Sequence, residues 1–463
     1  MIERYFSADE RTVDDEGWFR TGDIVTIDPA DAKDHDDAVY AEPDTSPDNP
    51  DGAIVVVAIA DVSWYVRPQT ALDREALKRG NSVYFPDRVV PMLPERISND
   101  LCSLKEAVDR PALAVRMVFS KEGRKASHTF HRIMMRSAAK LSYQQAQAAI
   151  DGAPDDKTGP LLEPILRPLW AAYAKLKSGR DRRQPLELDM PERKILLNPD
   201  GTVDRVVVPE RLDAHKLIEE MMIQANVAAA ETLEKKKQAL IYRVHDAPSM
   251  AKQETLRLFL KTLDMSLAHG SLRSNHFNQI LEKVDGKPYQ IMVNEMVLRS
   301  QSQAIYSPEN IGHFGLNLLK YAHFTSPIRR YADLVVHRAL IRALRLGDDG
   351  LSDYEIKTLS AMAAERETVD RLIAHHLVGR VGEEFDGRVS GVTGSGLFVS
   401  LPAYGADGFV PISTIGNDYY IYDEAHQSLT GDRSGLGYRL GDPVRVKLAE
   451  AAPLAGALRF EII

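Results

Sequence analysis

Five aspartates, Asp28, Asp31, Asp34, Asp36 and Asp37, fall within ten positions of the stretch Thr26-Ile-Asp-Pro-Ala-Asp-Ala-Lys-Asp-His-Asp-Asp-Ala38. Oxygen-rich clusters of this kind suit hard divalent cations, and Mg2+ is held by a few carboxylates together with waters and substrate phosphate oxygens. An acidic, solvated turn is the alternative for such a run standing alone. A calcium loop is disfavoured because no glycine occupies the sharp-turn position.

The flanking residues favour a built site. Ile24, Val25 and Ile27 are β-branched and read as a short strand. Pro29 has no N–H to donate, so the ladder stops there and Asp28 falls at the strand end. A second apolar run, Ile54-Val-Val-Val-Ala-Ile-Ala-Asp61, also ends in an aspartate. Two buried strands that each deliver a carboxylate at the C-terminal end point to a site rather than a surface turn.

The stretch TIDPADAKDHDDA resembles the signature of the ribonuclease II / ribonuclease R family of exoribonucleases. The resemblance implies that Asp28, Asp34, Asp36 and Asp37 bind catalytic Mg2+, as one ion or two. Asp36 would either ligate metal or orient the attacking water, and Asp31 is an unmatched loop residue. His35 stands where the family has a bulky apolar residue, and its expected role is packing. A second block, Gly80 to Leu104, also resembles the family and assigns Tyr84 to stacking on a base near the RNA 3′ end. The alternative for Tyr84 is a core tyrosine of a strand. Cys102, within this block, is expected to be buried and inert.

The other chemical centre is His323-Phe-Thr-Ser-Pro-Ile-Arg-Arg-Tyr-Ala-Asp-Leu-Val-Val-His-Arg338. Ser326 suits a helix N-cap, Pro327 the first helical position and Gly347 the stop. Two arginines in a first turn oppose the helix dipole, unless a phosphate sits there or they pair with core carboxylates. Neighbouring helical residues point about 100° apart, so one of the two faces substrate. The resemblance gives that catalytic, RNA-binding role to Arg329 and leaves Arg330 structural.

Between these centres the patterning predicts a helix over 73–79, paired strands over 113–119 and 128–135, and helices over 141–150 and 165–176. It also predicts a helix over 213–226 capped by Asp213, a strand over 241–246, a helix beginning with 255–263, and a long helix over 352–377. From about Val381 the chain turns to short strands with glycine turns, which fits a small Greek-key barrel of the OB type. That region resembles the S-one type RNA-binding domain, with Phe398 as the matching stacking aromatic and Pro411 in place of a frequent histidine. Phe385, Tyr419, Tyr420 and Tyr422 are further stacking candidates. The expected fold is a mixed α/β (α+β) catalytic domain of the RNB type over residues 21–379, then an all-β OB barrel over 380–463. Residues 1–20 are expected to form a short extension; it has no room for the cold-shock barrels of longer family members, so either the protein lacks them or they lie outside this sequence.

The chain has 463 residues, 44% of them hydrophobic, and a net charge of −9, which argues against a simple polycationic nucleic-acid binder. One cysteine excludes an internal disulfide and fits a reducing, cytoplasmic setting. No apolar run reaches the length of a membrane span, and a monomer is expected. The reading is a Mg2+-dependent 3′→5′ exoribonuclease that hydrolyses single-stranded RNA to 5′-mononucleotides. The alternatives are a non-catalytic RNA-binding protein on the same fold, which lost aspartates would mark, and a metal phosphodiesterase acting on DNA.

Overall fold

The structure, a computed structural model, describes residues 24–85, 88–188, 194–198, 203–270, 272–353, 355–356, 376–404, 406–416, 418–423, 428–452 and 457–463. The chain divides into two compact units, Met1–Ala363 and Ala364–Ile463.

A six-stranded sheet carries the first unit. Its strands are β1 (Val25–Asp28), β2 (Asp37–Pro43), β3 (Ala53–Ala60), β4 (Asp109–Phe119), β5 (Lys125–Arg136) and β6 (Ala139–Ser142). They lie in the order β5-β4-β3-β2-β1-β6, and the β1–β6 pair is parallel while the other pairs are antiparallel. Every residue of β3 is buried, so its sequence is continuously apolar instead of alternating. The longer helices among the described residues are α1 (Ala71–Arg79), α2 (Tyr143–Ile150), α3 (Arg167–Arg183), α4 (Asp213–Lys235), α5 (Met250–Lys261), α6 (Ser274–Val284), α7 (Gln290–Ser300) and α8 (Tyr331–Leu344). Leu169 and Leu176 of α3, Leu217 and Met221 of α4, and Leu334 and Val335 of α8 share one core with the sheet. Helices α5 to α7 gather a smaller core of their own around Leu260, Phe277 and Val297.

Several boundaries differ from the sequence expectation. Leu141 belongs to β6, because its neighbours pair in register with β1, and helix α2 starts at Tyr143 under a Ser142–Gln145 capping box. The helix expected over 165–176 begins at Arg167, with Pro168 in its first turn, and runs on to Arg183. Asp213 is the first residue of α4 rather than its cap. The cap position is Leu212, whose amide donates to His215 Nδ1, while Asp213 pairs with Lys216. The helix expected over 352–377 lies mostly outside the described residues.

The largest difference concerns the segment before α8. Ser326 and Pro327 do not start the helix, which begins at Tyr331. The amide of Ser82 donates to the Arg329 carbonyl and the Tyr331 amide donates to the Gly80 carbonyl, so the backbone at Arg330 is drawn into an extended bridge. Its dihedrals, φ −136° and ψ 123°, are incompatible with a helical turn. At the other end Arg345 takes the left-handed position at φ 59°, and Gly347 serves a different need: a Cβ there would run into the Arg132 guanidinium.

Two buried arginines tie these layers together. Arg338 of α8, with no exposed side-chain surface, donates to Asp73 of α1 at 2.7 Å, Glu355 at 2.6 Å and the Val66 carbonyl at 2.6 Å. Arg132 of β5 joins Asp61, at the end of β3, to Asp349. Asp61 is thereby withdrawn from the carboxylate site that its strand-end position suggested.

The second unit holds a closed five-stranded barrel of β7 (Glu384–Thr393), β8 (Gly396–Leu401), β9 (Ala406–Pro411), β10 (Pro443–Ala452) and β11 (Ala457–Ile462), in the order β7-β8-β9-β11-β10. Gly408 is required where β9 passes the Phe460 ring, since a Cβ would overlap it. Phe385 and Tyr420 are barrel core, which removes them as stacking candidates, whereas Phe398 and Tyr419 are exposed.

Arg338→Leu should cost about 3–5 kcal/mol of unfolding free energy, because it strands the Asp73 and Glu355 carboxylates in the core. Urea denaturation measures this; a loss under about 1 kcal/mol, the level of an exposed pair, would show that the network is not structural.

Candidate active site

The aspartate loop connects β1 to β2, and its ends are fixed by the sheet. Asp28 is the last residue of β1 and Asp37 the first of β2. Between them the chain is pinned from outside: the Leu104 amide donates to the His35 carbonyl, the His35 amide to Ser103 Oγ, and Ser103 Oγ to the Lys33 carbonyl. The Ala60 amide donates to the Asp36 carbonyl. Asp28, Asp34, Asp36 and Asp37 all line one open cavity of about 920 Å³.

The opposite wall comes from the extended segment before α8. The Ile328 amide donates to Asp36 Oδ1 at 2.9 Å, and Arg329 Nε stands 3.6 Å from Asp36 Oδ2. Arg329 also donates to Ser326 Oγ at 2.9 Å, and 43% of its side chain is exposed, so it keeps access to the cavity. Arg330 is fixed differently. It makes a two-pronged contact with the fully buried Asp333 carboxylate, at 2.9 and 2.8 Å, and the same carboxylate receives the Ser326 amide. Both arginines line the cavity, but Arg329 keeps an accessible guanidinium while Arg330 is engaged in holding the segment. The reason is the extended backbone at Arg330, not the helical 100° rotation expected from sequence.

Tyr84 stands 54% exposed on a two-residue strand paired with Val89–Val90, and its hydroxyl donates to Asp34 Oδ2 at 3.3 Å. The exposed ring excludes the core reading and leaves a face for a base. Burial and the Asp34 carboxylate push its hydroxyl up to about 12.

The electrostatics are set first by burial and then by neighbouring carboxylates. Burial raises the Asp36 carboxyl from 3.8 to about 8, against the opposing pull of Arg329 and the Ile328 amide. Asp37 is also raised well above the ordinary range by burial and by the Asp28 and Asp36 charges. All donors in this cluster are carboxylate oxygens, which fits a hard cation, and a cation would displace the protons held on Asp36 and Asp37. Among the described residues no three acidic, histidine or cysteine side chains stand together as a ready cage. Asp28, Asp34 and Asp36 are each engaged by a protein donor, as Mg2+ sites completed by water and phosphate oxygens allow.

Two residues at this site were not anticipated. Tyr143, at the start of α2, lines the cavity, stacks on His215 with ring centres 4.0 Å apart, and has its hydroxyl raised by burial and by Asp37 and Asp28. Nothing in its sequence context separates it from a helix-start aromatic. His35 is 3% exposed, as packing requires, but its Nδ1 lies 2.6 Å from Asp28 Oδ2, so it is bonded to a candidate ligand. Phe398, in the second unit, is 45% exposed with its ring 5.1 Å from Phe409. Cys102 is buried, and burial raises its thiol.

A profile of the RNB domain matches residues 17–346, and one of the S1 RNA binding domain matches residues 380–459. The chain is 42% identical to Ribonuclease R of Vibrio cholerae over 464 residues, which covers 95% of this chain and 56% of that protein. It is 41% identical to Ribonuclease R of Escherichia coli over 448 residues, covering 92% of this chain and 54% of that protein. The chain therefore spans little more than half the length of these relatives. Among solved structures, Mycoplasma genitalium RNase R in complex with ribose methylated single-stranded RNA superposes with a TM-score of 0.73 at 28% identity, covering 95% of this chain and 71% of that one. The match of its first unit to the RNB profile, over 17–346 of 463 residues, shows that the chain belongs to the RNB-domain family.

Proposed function

We propose that this chain is a Mg2+-dependent 3′→5′ exoribonuclease that hydrolyses single-stranded RNA to 5′-mononucleotides. The observation that carries the reading is the meeting of the Asp28, Asp34, Asp36 and Asp37 carboxylates with the accessible Arg329 guanidinium on a single cavity. Relatives named Ribonuclease R and a neighbour solved with single-stranded RNA support the substrate class and the reaction.

Asp28, Asp34, Asp36 and Asp37 are the residues that would hold Mg2+. When bound, the ion supplies Lewis-acid activation of water and neutralises charge on the leaving oxygen. The remaining work falls to the chain. Asp36, locked by the Ile328 amide, keeps one oxygen, Oδ2, toward Arg329 and can orient an attacking water with it. Arg329, 3.6 Å from Asp36 Oδ2, can neutralise the additional negative charge of a phosphate that takes on a fifth oxygen beside Asp36, and Ser326 steadies its guanidinium. Tyr84 stacks on a base at the RNA 3′ end, and its bond to Asp34 fixes the ring beside the carboxylates. Phe398 offers the S1-type unit a further stacking face. End-labelled RNA and DNA oligomers incubated with purified protein, with Mg2+ or EDTA, test the reading. RNA-specific release of mononucleotides only with Mg2+ is expected; cleavage of DNA alone, or none, would overturn it.

Asp36→Asn should lower turnover by about 100-fold or more while RNA affinity survives, because the carboxylate acts on the reacting centre and not on the rest of the strand. Near-normal turnover would remove Asp36 from the chemistry.

The same substitution has a stability signature. The folded Asp36 carboxyl titrates at about 8, above its ordinary 3.8, so the folded chain retains a proton that the unfolded chain has lost. Its stabilising contribution is complete below about pH 4 and is lost as pH rises through about 8. In EDTA, Asp36→Asn should therefore flatten the fall in melting temperature over that window; parallel curves for both proteins would contradict the burial argument.

Arg329→Ala should cut the single-turnover rate about 100- to 1000-fold with little change in RNA affinity, since its charge matters most where new charge develops. Rapid-quench kinetics beside equilibrium binding separate the two; a pure affinity loss would make Arg329 a simple phosphate anchor.

Tyr84→Ala should lengthen the shortest products, as the loss of about 1–3 kcal/mol of stacking releases short RNAs earlier. The check is a denaturing-gel product ladder, and an unchanged ladder would remove Tyr84 from the grip.

A further inference from the structure

We infer that His35 is a positioning residue for the cation site: its Nδ1–H holds Asp28 by Oδ2 and leaves Oδ1 to ligate. The inference rests on the proposed metal-binding role of the aspartates and adds a residue to it.

Three observations carry it. First, the contact is close and directional, 2.6 Å between Nδ1 and Oδ2, in a setting where His35 is 4% exposed and Asp28 15%. An ionised carboxylate can only accept, so the ring nitrogen facing it carries the proton. Second, His35 is itself immobilised, because its amide and carbonyl are both taken by the Ser103–Leu104 backbone and hydroxyl. A ring anchored in this way transmits that rigidity to the carboxylate it touches. Third, two other aspartates in the cavity are also individually oriented: Asp34 by the Tyr84 hydroxyl and Asp36 by the Ile328 amide. Asp28, at the end of β1, has the His35 imidazole in the same position as these donors. A histidine used only for packing would leave its ring nitrogens without a polar partner, at a cost in a buried setting.

A fixed ligand loses less freedom on binding a cation, and outer donors of this kind change metal affinity about 10- to 100-fold. The asparagine side chain puts Nδ2 the same number of bonds from Cα as the imidazole Nδ1, so it can replace the donor without the ring. The leucine side chain fills space but donates nothing.

Mn2+ titrations read by electron paramagnetic resonance test this on the intact chain in the absence of RNA. His35→Leu should weaken Mn2+ binding about 10- to 100-fold, while His35→Asn retains most of the affinity. His35→Ala is measured alongside, so that the loss is read on two side chains of different volume, and circular dichroism confirms that each variant is folded. RNA affinity in EDTA should be unchanged throughout. Equal Mn2+ affinity in wild type and the Leu and Ala variants would make His35 a packing residue. Tighter binding in the Leu variant would mean that the imidazole competes with the cation, and equal failure of the Asn and Leu variants would show that the donor is not what matters. Each overturns the inference and leaves the proposed metal role intact. A wild-type protein that binds RNA but no Mn2+ would overturn both.

Discussion

The site depends on one hydrogen bond, from the Ile328 amide to the Asp36 carboxylate. It joins parts of the chain 292 positions apart, the aspartate loop between β1 and β2 and the extended segment that leads into α8. Arg329 follows Ile328 directly and so reaches the same carboxylate, while Arg330 is turned back onto Asp333. The strand that carries Tyr84 is drawn to the same place, because Ser82 and Gly80 hold the backbone on either side of Arg330. A donor from the main chain cannot be lost by a side-chain rotation, so the position of Asp36 is set by the fold itself.

That arrangement works against stability. Buried, mutually repelling carboxylates raise Asp36 to about 8 and Asp37 well above its ordinary range, so the chain alone bears an electrostatic cost at neutral pH. The surrounding structure is braced by buried ion-pair networks elsewhere. Arg338 and Arg132 each bind two carboxylates in the core; Arg338 braces α8, which follows the Arg329 segment, and Arg132 ties the end of β3 to Asp349. The contrast is physical: in those networks each carboxylate is bonded to an arginine, whereas on the cavity the Arg329 guanidinium stands beside Asp36 within a row of acidic residues. An unbalanced cluster of that kind is what a cation would complete.

Much of this was legible in the residues themselves. The β-branched start and Pro29 fix the strand end at Asp28, and the glycine-punctuated strands after residue 380 give the barrel. Tertiary capture was not legible. Ser326-Pro327 carries every local sign of a helix start, yet hydrogen bonds from residues 80–82 pull the following backbone into an extended path. Asp61 has the same strand-end position as Asp28, but only the three-dimensional structure reveals that Arg132 claims it. His35 reads as packing because burial is predictable from its neighbours, whereas its hydrogen bond to Asp28 requires knowing how the loop folds back. In each case a distant partner overrides what the local sequence prescribes.

The central claim is that the four carboxylates and Arg329 form a single catalytic centre. Anomalous scattering from crystals grown with Mn2+ and a short single-stranded RNA tests it most directly. Mn2+ is expected on the Asp28, Asp34, Asp36 and Asp37 oxygens, with an RNA phosphate between the ion and the Arg329 guanidinium. Mn2+ bound away from these carboxylates, or a phosphate held only by other residues, would contradict it.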